Sequence, residues 1–229
     1  MKVRLLDLCS CAGGAAKGYQ DAGFYVVGVD IEPQPHYHGD DFILGDAVEI
    51  MRRLLAGEAI QAISGKWYKL KDFDAIHASP PCQAYSVTQR ITGNIYPELL
   101  EPIRTLLIET GRPYVIENVI GAPLRSPTIL NGLMFGLKVV RNRQFETNWF
   151  LMAPPEPDNV KVYTNSSRGY SAFRNGATHI TVAGNNFDPR DGAEAMGIDW
   201  MTRHEMSEAI PPAYTEFIGR QLMQILEAA

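Results

Sequence analysis

Residues 3–14 read Val3-Arg4-Leu5-Leu6-Asp7-Leu8-Cys9-Ser10-Cys11-Ala12-Gly13-Gly14, an apolar run followed directly by small residues. The apolar run is typical of a buried strand, and residues 15–22 then supply a helical segment closed by a glycine. Residues 24–30 form a second apolar run that ends in an acid, and the two prolines that follow stop any regular element. The first 30 residues therefore predict a βαβ unit.

The same alternation continues along the chain. Further strands are predicted over 41–46, 73–78 and 114–119, with helices over 47–55 and from about Pro97 to Thr110. Strands separated by helices are typical of an α/β fold with a doubly wound, mainly parallel, Rossmann-like sheet. Alternation over 139–152 predicts antiparallel strands, and two final helices are predicted over 202–209 and 211–227.

Size and composition limit the classes of protein that the chain can belong to. Its 229 residues, 45% of them hydrophobic, can bury one full core. A net charge of −5 disfavours a strongly basic nucleic-acid binder without excluding a segregated basic face. Three cysteines make no disulfide framework, so reduced thiols are expected. No membrane-spanning or signal pattern is seen, and we expect a cytoplasmic protein.

Small and acidic residues follow the first three predicted strands. In a doubly wound sheet, ligands bind beyond the carboxyl ends of the strands, where the turn 7–14, Asp30 and Asp46 would all lie. The glycines allow close approach, Asp30 can accept hydrogen bonds from a ribose, and Asp46 can accept one from an amine. Without the Gly-x-Gly-x-x-Gly spacing, an adenosyl group lacking phosphates is favoured, which points to S-adenosylmethionine. An ordinary turn with a helix-capping acid is the alternative.

A second motif, Pro80-Pro81-Cys82-Gln83, follows the predicted strand 73–78. A thiol exposed there is a candidate nucleophile, although an inert turn cysteine remains open. Glu117 ends the neighbouring strand, and partial burial would raise its pKa so that the carboxyl can donate a proton, with Asn118 to orient it. A turn-capping glutamate is the alternative. Together the thiol and the carboxyl favour chemistry on a pyrimidine ring.

In order and type, these motifs resemble those of the DNA cytosine-5 methyltransferases, from residue 3 to about 150. The matching positions are Asp7 to Gly14, Asp30, Asp46, Pro81-Cys82-Gln83, Glu117-Asn118-Val119 and Arg141-Asn142-Arg143. Two later segments, 201–206 and 212–219, are similar to the family's final motifs. The resemblance implies a Rossmann-like methyltransferase core over 1–152, a reduced target-recognition lobe of irregular or antiparallel structure over 153–200, and C-terminal helices over 201–229 that pack back on the core.

The resemblance also implies a mechanism. Cys82 would add to carbon 6 of cytosine while Glu117 and one of Arg141 or Arg143 hold N3 and O2, so that carbon 5 accepts the methyl group. The target base would be flipped out of a duplex, and the segment 84–94 would close over it.

Site residues are implied in three groups. The catalytic group is Cys82, Glu117, Arg141 and Arg143, and the substrate-binding group is Pro81, Gln83, Ser86, Asn118 and Val119. The group expected to bind S-adenosylmethionine is Asp7, Cys9, Ala12, Gly13, Gly14, Asp30, Ile31, Asp46, Ala47 and Pro80. The implied partner is DNA, double-stranded or else single-stranded, and the implied role is DNA modification or restriction-modification by a monomer in a bacterial or phage-infected cell.

Four departures from the family pattern bear on these expectations. Cys9 stands where phenylalanine is usual, Cys11 where glycine is usual, Val139 in place of a glutamine and Arg220 in place of an asparagine. The recognition region is short, so slight sequence selectivity is expected. Two alternatives remain open: the same chemistry on single-stranded nucleic acid or a free nucleotide, and a catalytically inactive nucleic-acid-binding relative.

Weaker signals are interpreted without function. His36 and His38 lie in a proline-flanked loop, where histidines are usually solvated, and three cysteines lack a clear fourth ligand, so no metal is expected. A set of basic and aromatic side chains after residue 160 could contact phosphates and bases, or could equally be a solvated irregular lobe.

Overall fold

The computed structural model describes residues 2–81, 98–157, 171–173 and 176–228. Its strands are β1 (Arg4–Leu8), β2 (Tyr25–Asp30), β3 (Asp41–Leu44), β4 (Ile60–Gln61), β5 (Trp67–Tyr68), β6 (Ala75–Ala78), β7 (Tyr114–Asn118), β8 (Thr128–Leu130) and β9 (Arg143–Thr147). Its α-helices are α1 (Gly14–Asp21), α2 (Ala47–Leu55), α3 (Leu100–Glu109), α4 (Pro189–Met196), α5 (Arg203–Glu208) and α6 (Pro212–Ala228). Two 3₁₀ turns span Leu70–Asp72 and Gly132–Phe135.

Seven strands form the main sheet in the order β3-β2-β1-β6-β7-β9-β8. The first five are parallel, whereas β9 runs antiparallel to both β7 and β8. The strand order reverses between β1 and β6, which makes their carboxyl ends a topological switch point. Strands β4 and β5 form a separate antiparallel pair. The predicted doubly wound, mainly parallel, Rossmann-like sheet is confirmed.

Alternating strand residues divide the core between the two faces of the sheet. Leu6 and Leu8 belong to a cluster that includes the buried residues of α2 and α3. Leu5 belongs to a second cluster, with the buried residues of α1 and α6. Both faces of a parallel sheet are therefore covered by helices, which explains why its strands read as continuous apolar runs.

The C-terminal helix α6 packs closely against α1. A side chain at Gly18 of α1 would place its Cβ 2.0 Å from the carbonyl oxygen of Pro212. The Thr215 hydroxyl of α6 donates to the carbonyl of Ala15 at 2.9 Å. Because α1 follows the turn 7–14, this contact joins the end of the chain to its beginning.

The structure departs from the sequence prediction at β9, at α4 and at the short pair of β4 and β5, which was not predicted. Of the predicted antiparallel strands over 139–152, the structure contains one, β9, and its partner β8 lies upstream at residues that sequence reasoning left unassigned. Helix α4 was also missed, although its start carries a clear signal: Asp188 accepts hydrogen bonds from two backbone N–H groups and Pro189 occupies the first helical position. The division into three parts at 152 and 200 stays a prediction.

No helix in the described ranges combines the length and apolar character needed to cross a membrane.

Candidate active site

A cavity of about 290 Å³ opens at the carboxyl edge of the sheet, at the switch point. Its lining includes all the residues expected to bind the methyl donor except Gly13. It also includes Pro81, Glu117, Val119 and Arg143 from the expected reacting end. The predicted donor and substrate residues that the structure describes therefore largely share one cavity.

The turn after β1 has an unusual backbone. Cys9 and Cys11 have φ angles of 57° and 44°, in the left-handed region that non-glycine residues rarely adopt. The Cys11 N–H donates to Asp30 Oδ2 at 2.9 Å, and the Ser10 N–H donates to the carbonyl of Val29 at 3.1 Å. Hydrogen bonds to the end of β2 thus hold the turn in this conformation, around the cavity.

Gly13 does not line the cavity but shapes it. Its φ is 82°, and a Cβ there would lie 2.8 Å from the backbone nitrogen of His38. The residue must be glycine for the turn to pack against the loop after β2.

Asp30 and Asp46 both make structural hydrogen bonds. Asp30 accepts from the backbone N–H groups of Cys11 and Glu32, at 2.9 and 3.1 Å. Asp46 caps α2 by accepting from the Glu49 N–H at 2.9 Å, as the alternative interpretation of that acid expected. A carboxylate has about four acceptor positions, so each can still accept from a ligand.

Asp7 is fully buried, and neither of its carboxylate oxygens has a hydrogen-bond partner within the described ranges. Burial, reinforced by the nearby Asp30, raises the pKa of Asp7 well above its ordinary value. The Ser10 and Tyr37 hydroxyls are likewise buried without a partner in that part of the structure. Asp7 and Ser10 both line the cavity, where a cationic or hydrogen-bond-donating ligand would satisfy them.

The two cysteines of the turn are neutral thiols. Burial, together with the negative charge of Asp30, raises the pKa of both Cys9 and Cys11. At neutral pH they act as small apolar side chains in the cavity wall, where the family pattern has phenylalanine and glycine.

Glu117 ends β7 and is 7% exposed. Burial raises the pKa of its carboxyl, and the positive charges of Arg143 and Arg141 and the neighbouring Ser79 side chain oppose that rise. Arg143 Nε lies 3.0 Å from Glu117 Oε1, an ion-pair contact whose angle is too bent for a hydrogen bond. The site therefore pairs a carboxyl of raised pKa with a guanidinium.

The two arginines occupy different environments. Arg143 lines the cavity beside Glu117. Arg141 is buried outside the lining, and its guanidinium donates to the backbone carbonyls of Val182 and, at 2.8 Å, of Ser207. The structure thus brings Arg143 to the candidate reacting centre and uses Arg141 to join distant segments.

Asn118 also differs from its predicted role. Its amide nitrogen donates to the carbonyl of Pro80 at 3.0 Å, and its side-chain oxygen accepts from the Val119 N–H at 2.9 Å. These contacts hold the Pro80-Pro81 turn to the end of β7, rather than orienting Glu117. Cys82, Gln83, Ser86 and the segment 84–94 lie outside the described residues.

Several cavity residues were not predicted. Ser79 precedes the proline pair, and the segment 207–210 brings in the end of the chain just before α6. The similarity of 212–219 to a late family motif was the available signal that this end of the chain forms part of the cavity wall. Ser79 carried no signal, because a serine before prolines is common in ordinary turns.

Comparisons with known proteins agree on the architecture. The sequence matches no protein-family model, and no curated protein sequence matches it. Among solved structures it is similar to a protein assigned as a DNA modification methyltransferase, encoded within a prophage (E. coli), with a TM-score of 0.63 and 15% identity over 98% of this chain and 99% of that one.

Two further structures are methyltransferases of the Dnmt2 type. The S. pombe Dnmt2 methyltransferase has a TM-score of 0.65 at 14% identity, over 99% of both chains. A mutant of Spodoptera frugiperda DNMT2 has a TM-score of 0.50 at 12% identity, over 98% of this chain and 99% of that one. At these identities the likeness shows a shared fold: this chain has the Rossmann-like fold of solved DNA methyltransferases.

Proposed function

We propose that this chain is an S-adenosylmethionine-dependent DNA cytosine-5 methyltransferase. One observation carries the proposal: the buried Glu117–Arg143 pair and the turn leading to Cys82 face the same cavity as Asp7 and Asp30. A methyl donor and a pyrimidine ring held there would lie side by side, as a group transfer requires.

The residues of the turn fit S-adenosylmethionine. When bound, this donor supplies an electrophilic methyl group on a sulfonium. Asp30 and Asp46 offer acceptors for the ribose hydroxyls and the adenine amine, and Ile31, which is 67% exposed, offers an apolar surface at the rim. The unpartnered carboxylate of Asp7 is suited to the positive charge of the donor.

Glu117 and Arg143 are suited to a cytosine ring. With its pKa raised by burial, the Glu117 carboxyl is suited to donate a proton to N3, while the Arg143 guanidinium donates to O2. Both contacts withdraw electron density from the ring, which favours addition of the Cys82 thiolate to carbon 6. Carbon 5 would then form a bond to the methyl group as the bond between that methyl and the donor's sulfur breaks, a base would take the carbon 5 proton, and loss of the thiolate would restore the ring.

Transfer of a labelled methyl group to nucleic acid tests this proposal. Duplex DNA, single-stranded DNA and free nucleotides are each incubated with labelled S-adenosylmethionine, digested and separated, and the label is expected in 5-methylcytosine from DNA. Glu117→Gln should abolish the transfer, while Glu109→Gln, an exposed acid at the end of α3, should retain it. Donor binding without label in any cytosine substrate would favour the inactive relative.

A further inference from the structure

A row of polar side chains lies on one face of the sheet beneath the site. Asp7 of β1 is the register partner of His77 of β6, and Ile116 is the partner of Ala78, which places Ser79 beside Glu117. His77 is fully buried between the sheet and α1. Ala75, two residues earlier on β6, and Val115, the register partner on β7, are the apolar neighbours of His77 on this face.

Hydrogen bonds connect His77 to the serine beside the candidate catalytic carboxyl. Nε2 of His77 lies 2.9 Å from the hydroxyl of Ser79, and Nδ1 lies 3.0 Å from the hydroxyl of Tyr19 on α1. By the register of β6 and β7, Ser79 lies beside Glu117, and its side chain acts to lower the pKa of the Glu117 carboxyl. The hydrogen-bonded series Tyr19, His77, Ser79 therefore runs from helix α1 to a serine beside the candidate catalytic carboxyl.

The direction of these bonds follows from the available partners. Burial raises the pKa of Tyr19, so its hydroxyl keeps its proton, and in the described structure His77 Nδ1 is the acceptor within reach. Burial lowers the pKa of His77 to about 3, so the ring is neutral and carries one proton. With Nδ1 accepting, that proton is on Nε2 and is donated to Ser79, which leaves the Ser79 hydroxyl proton to point toward the Glu117 carboxyl beside it.

We propose that His77 is a positioning residue of the reaction, which holds the Ser79 hydroxyl in a donating orientation toward Glu117. The proposal rests on the proposed function and adds to it a residue with no contact with substrate. In this arrangement the relay stabilises the ionised form of Glu117, alongside the charges of Arg143 and Arg141, and against burial. Within the described ranges, the other ionisable groups that act on the relay are Asp7, on the strand beside His77, and Tyr214, whose pKa responds to the charge of Glu117.

The relay predicts the direction of a pH effect. If Glu117 donates a proton to N3, methyl transfer falls at high pH as free Glu117 ionises. Removing the Ser79 hydroxyl makes ionisation of Glu117 less favourable. The decline of kcat/KM at high pH, its high-pH limb, should therefore move to higher pH. A purely structural role for His77 predicts instead a uniform loss of rate with no movement of the limb.

Five proteins test the relay: the wild type, Ser79→Ala, His77→Leu, His77→Gln and the double variant that combines Ser79→Ala with His77→Leu. Ser79→Ala and His77→Leu are expected to move the limb upward by similar amounts, and the double variant by no more than either alone. The amide of His77→Gln can still donate to Ser79 and should restore the wild-type limb. The proposal would be overturned if the high-pH decline of kcat/KM occurs at the wild-type pH in both Ser79→Ala and His77→Leu. It would also be overturned if His77→Gln shifts that decline as His77→Leu does.

A spectroscopic measurement separates failure of the relay from failure of the proposed function. The ¹⁵N spectrum of the wild-type histidines should show one neutral ring, unchanged between pH 5 and 8, with its proton on Nε2. The difference infrared spectrum against Glu117→Gln should show the Glu117 carboxyl ionising at higher pH in Ser79→Ala. Both readouts hold if the enzyme methylates nothing, and a proton found on Nδ1 would refute the relay whether or not methyl transfer occurs.

Discussion

Asp7 lies near the end of β1, in the wall of the cavity. Its carboxyl is buried with no hydrogen-bond partner in the described ranges, and its pKa is raised by burial. A carboxyl whose pKa is raised in the folded state favours folding at pH below the unfolded value, and that contribution is lost as pH rises. Asp7 therefore lowers the free energy of unfolding at neutral pH.

Replacing Asp7 by asparagine is expected to stabilise the ligand-free protein and weaken donor binding. The difference in unfolding free energy between Asp7→Asn and wild type should grow as pH rises above about 4. Urea unfolding at several pH values measures it, with Asp199→Asn, an exposed acid before α5, as the control. A variant that is no more stable at pH 8 than at pH 4, relative to wild type, would show that Asp7 has a partner in solution.

Sequence reasoning succeeded with residues at strand ends and failed with those that act through the fold. Asp7, Asp30 and Glu117 follow apolar runs, and parallel strands bring their ends to one edge, so their convergence could be predicted. The partner of Ser79 is fixed by the register of β6 against β7, which a single sequence does not encode locally. The different contacts of Arg141 and Arg143 likewise depend on where residues 182 and 207 fold.

At the scale of elements, α3 is joined to β9 by a buried ion pair. Arg104 of α3 donates to both carboxylate oxygens of Glu146, at 2.9 and 2.8 Å, and both side chains are almost fully buried. The Arg125 N–H adds a third bond to Glu146 at 2.7 Å. Neither residue was predicted to be buried, because charged side chains are rarely buried unless paired and the pair is 42 residues apart in sequence.

Removing Glu146 takes away the buried partner of Arg104, whose guanidinium keeps the exposed Glu101 carboxylate and the carbonyl of Pro123. Glu146→Ala is expected to lower the free energy of unfolding by about 3–5 kcal/mol. Glu101→Ala removes an exposed carboxylate from the same arginine and should cost no more than about 1 kcal/mol. Urea unfolding of both variants measures the contrast, and equal losses would mean that burial does not set the strength of the pair.

The contact between α1 and α6 depends on Gly18. Alanine there would bring its Cβ against backbone atoms of α6, which cannot move aside as a flexible side chain would. Despite alanine's better helix propensity, Gly18→Ala is expected to destabilise the fold by about 1–3 kcal/mol. Thermal unfolding beside Lys17→Ala, a change at the neighbouring partly exposed residue, tests it. A Gly18→Ala protein as stable as wild type would show that the helices can separate slightly without cost.

At the scale of the whole molecule, both ends of the chain build the cavity. The turn 7–14 forms one wall and the segment 207–210 another, and Arg141 fixes the second wall through the carbonyl of Ser207. The likeness of the late motifs predicted that the end of the chain returns to the core, but the tether through Arg141 could not be predicted.

Arg141→Ala and Arg143→Ala are therefore expected to fail in different ways. Arg141→Ala removes the hydrogen-bond donor to the backbone carbonyls of Val182 and Ser207. This loss should lower the free energy of unfolding by about 2 kcal/mol and weaken donor binding. Arg143→Ala should bind the donor as wild type does and lose about 100-fold in methyl transfer. Calorimetry with S-adenosylmethionine and single-turnover kinetics separate the two. Normal donor binding by Arg141→Ala would show that Arg141 does not fix the cavity wall formed by 207–210.

Covalent capture on DNA containing 5-fluorocytosine tests the proposed chemistry most directly. Release of the Cys82 adduct requires a base to remove a proton from carbon 5. In the analogue a fluorine occupies that position and cannot be removed in this way, so the adduct at carbon 6 remains after methyl transfer. With S-adenosylmethionine present, the wild-type protein should migrate with the DNA on a denaturing gel, and Cys82→Ser should not. A folded, donor-binding wild-type protein that forms no such complex with duplex or single-stranded DNA would rule out cytosine-5 methylation through Cys82.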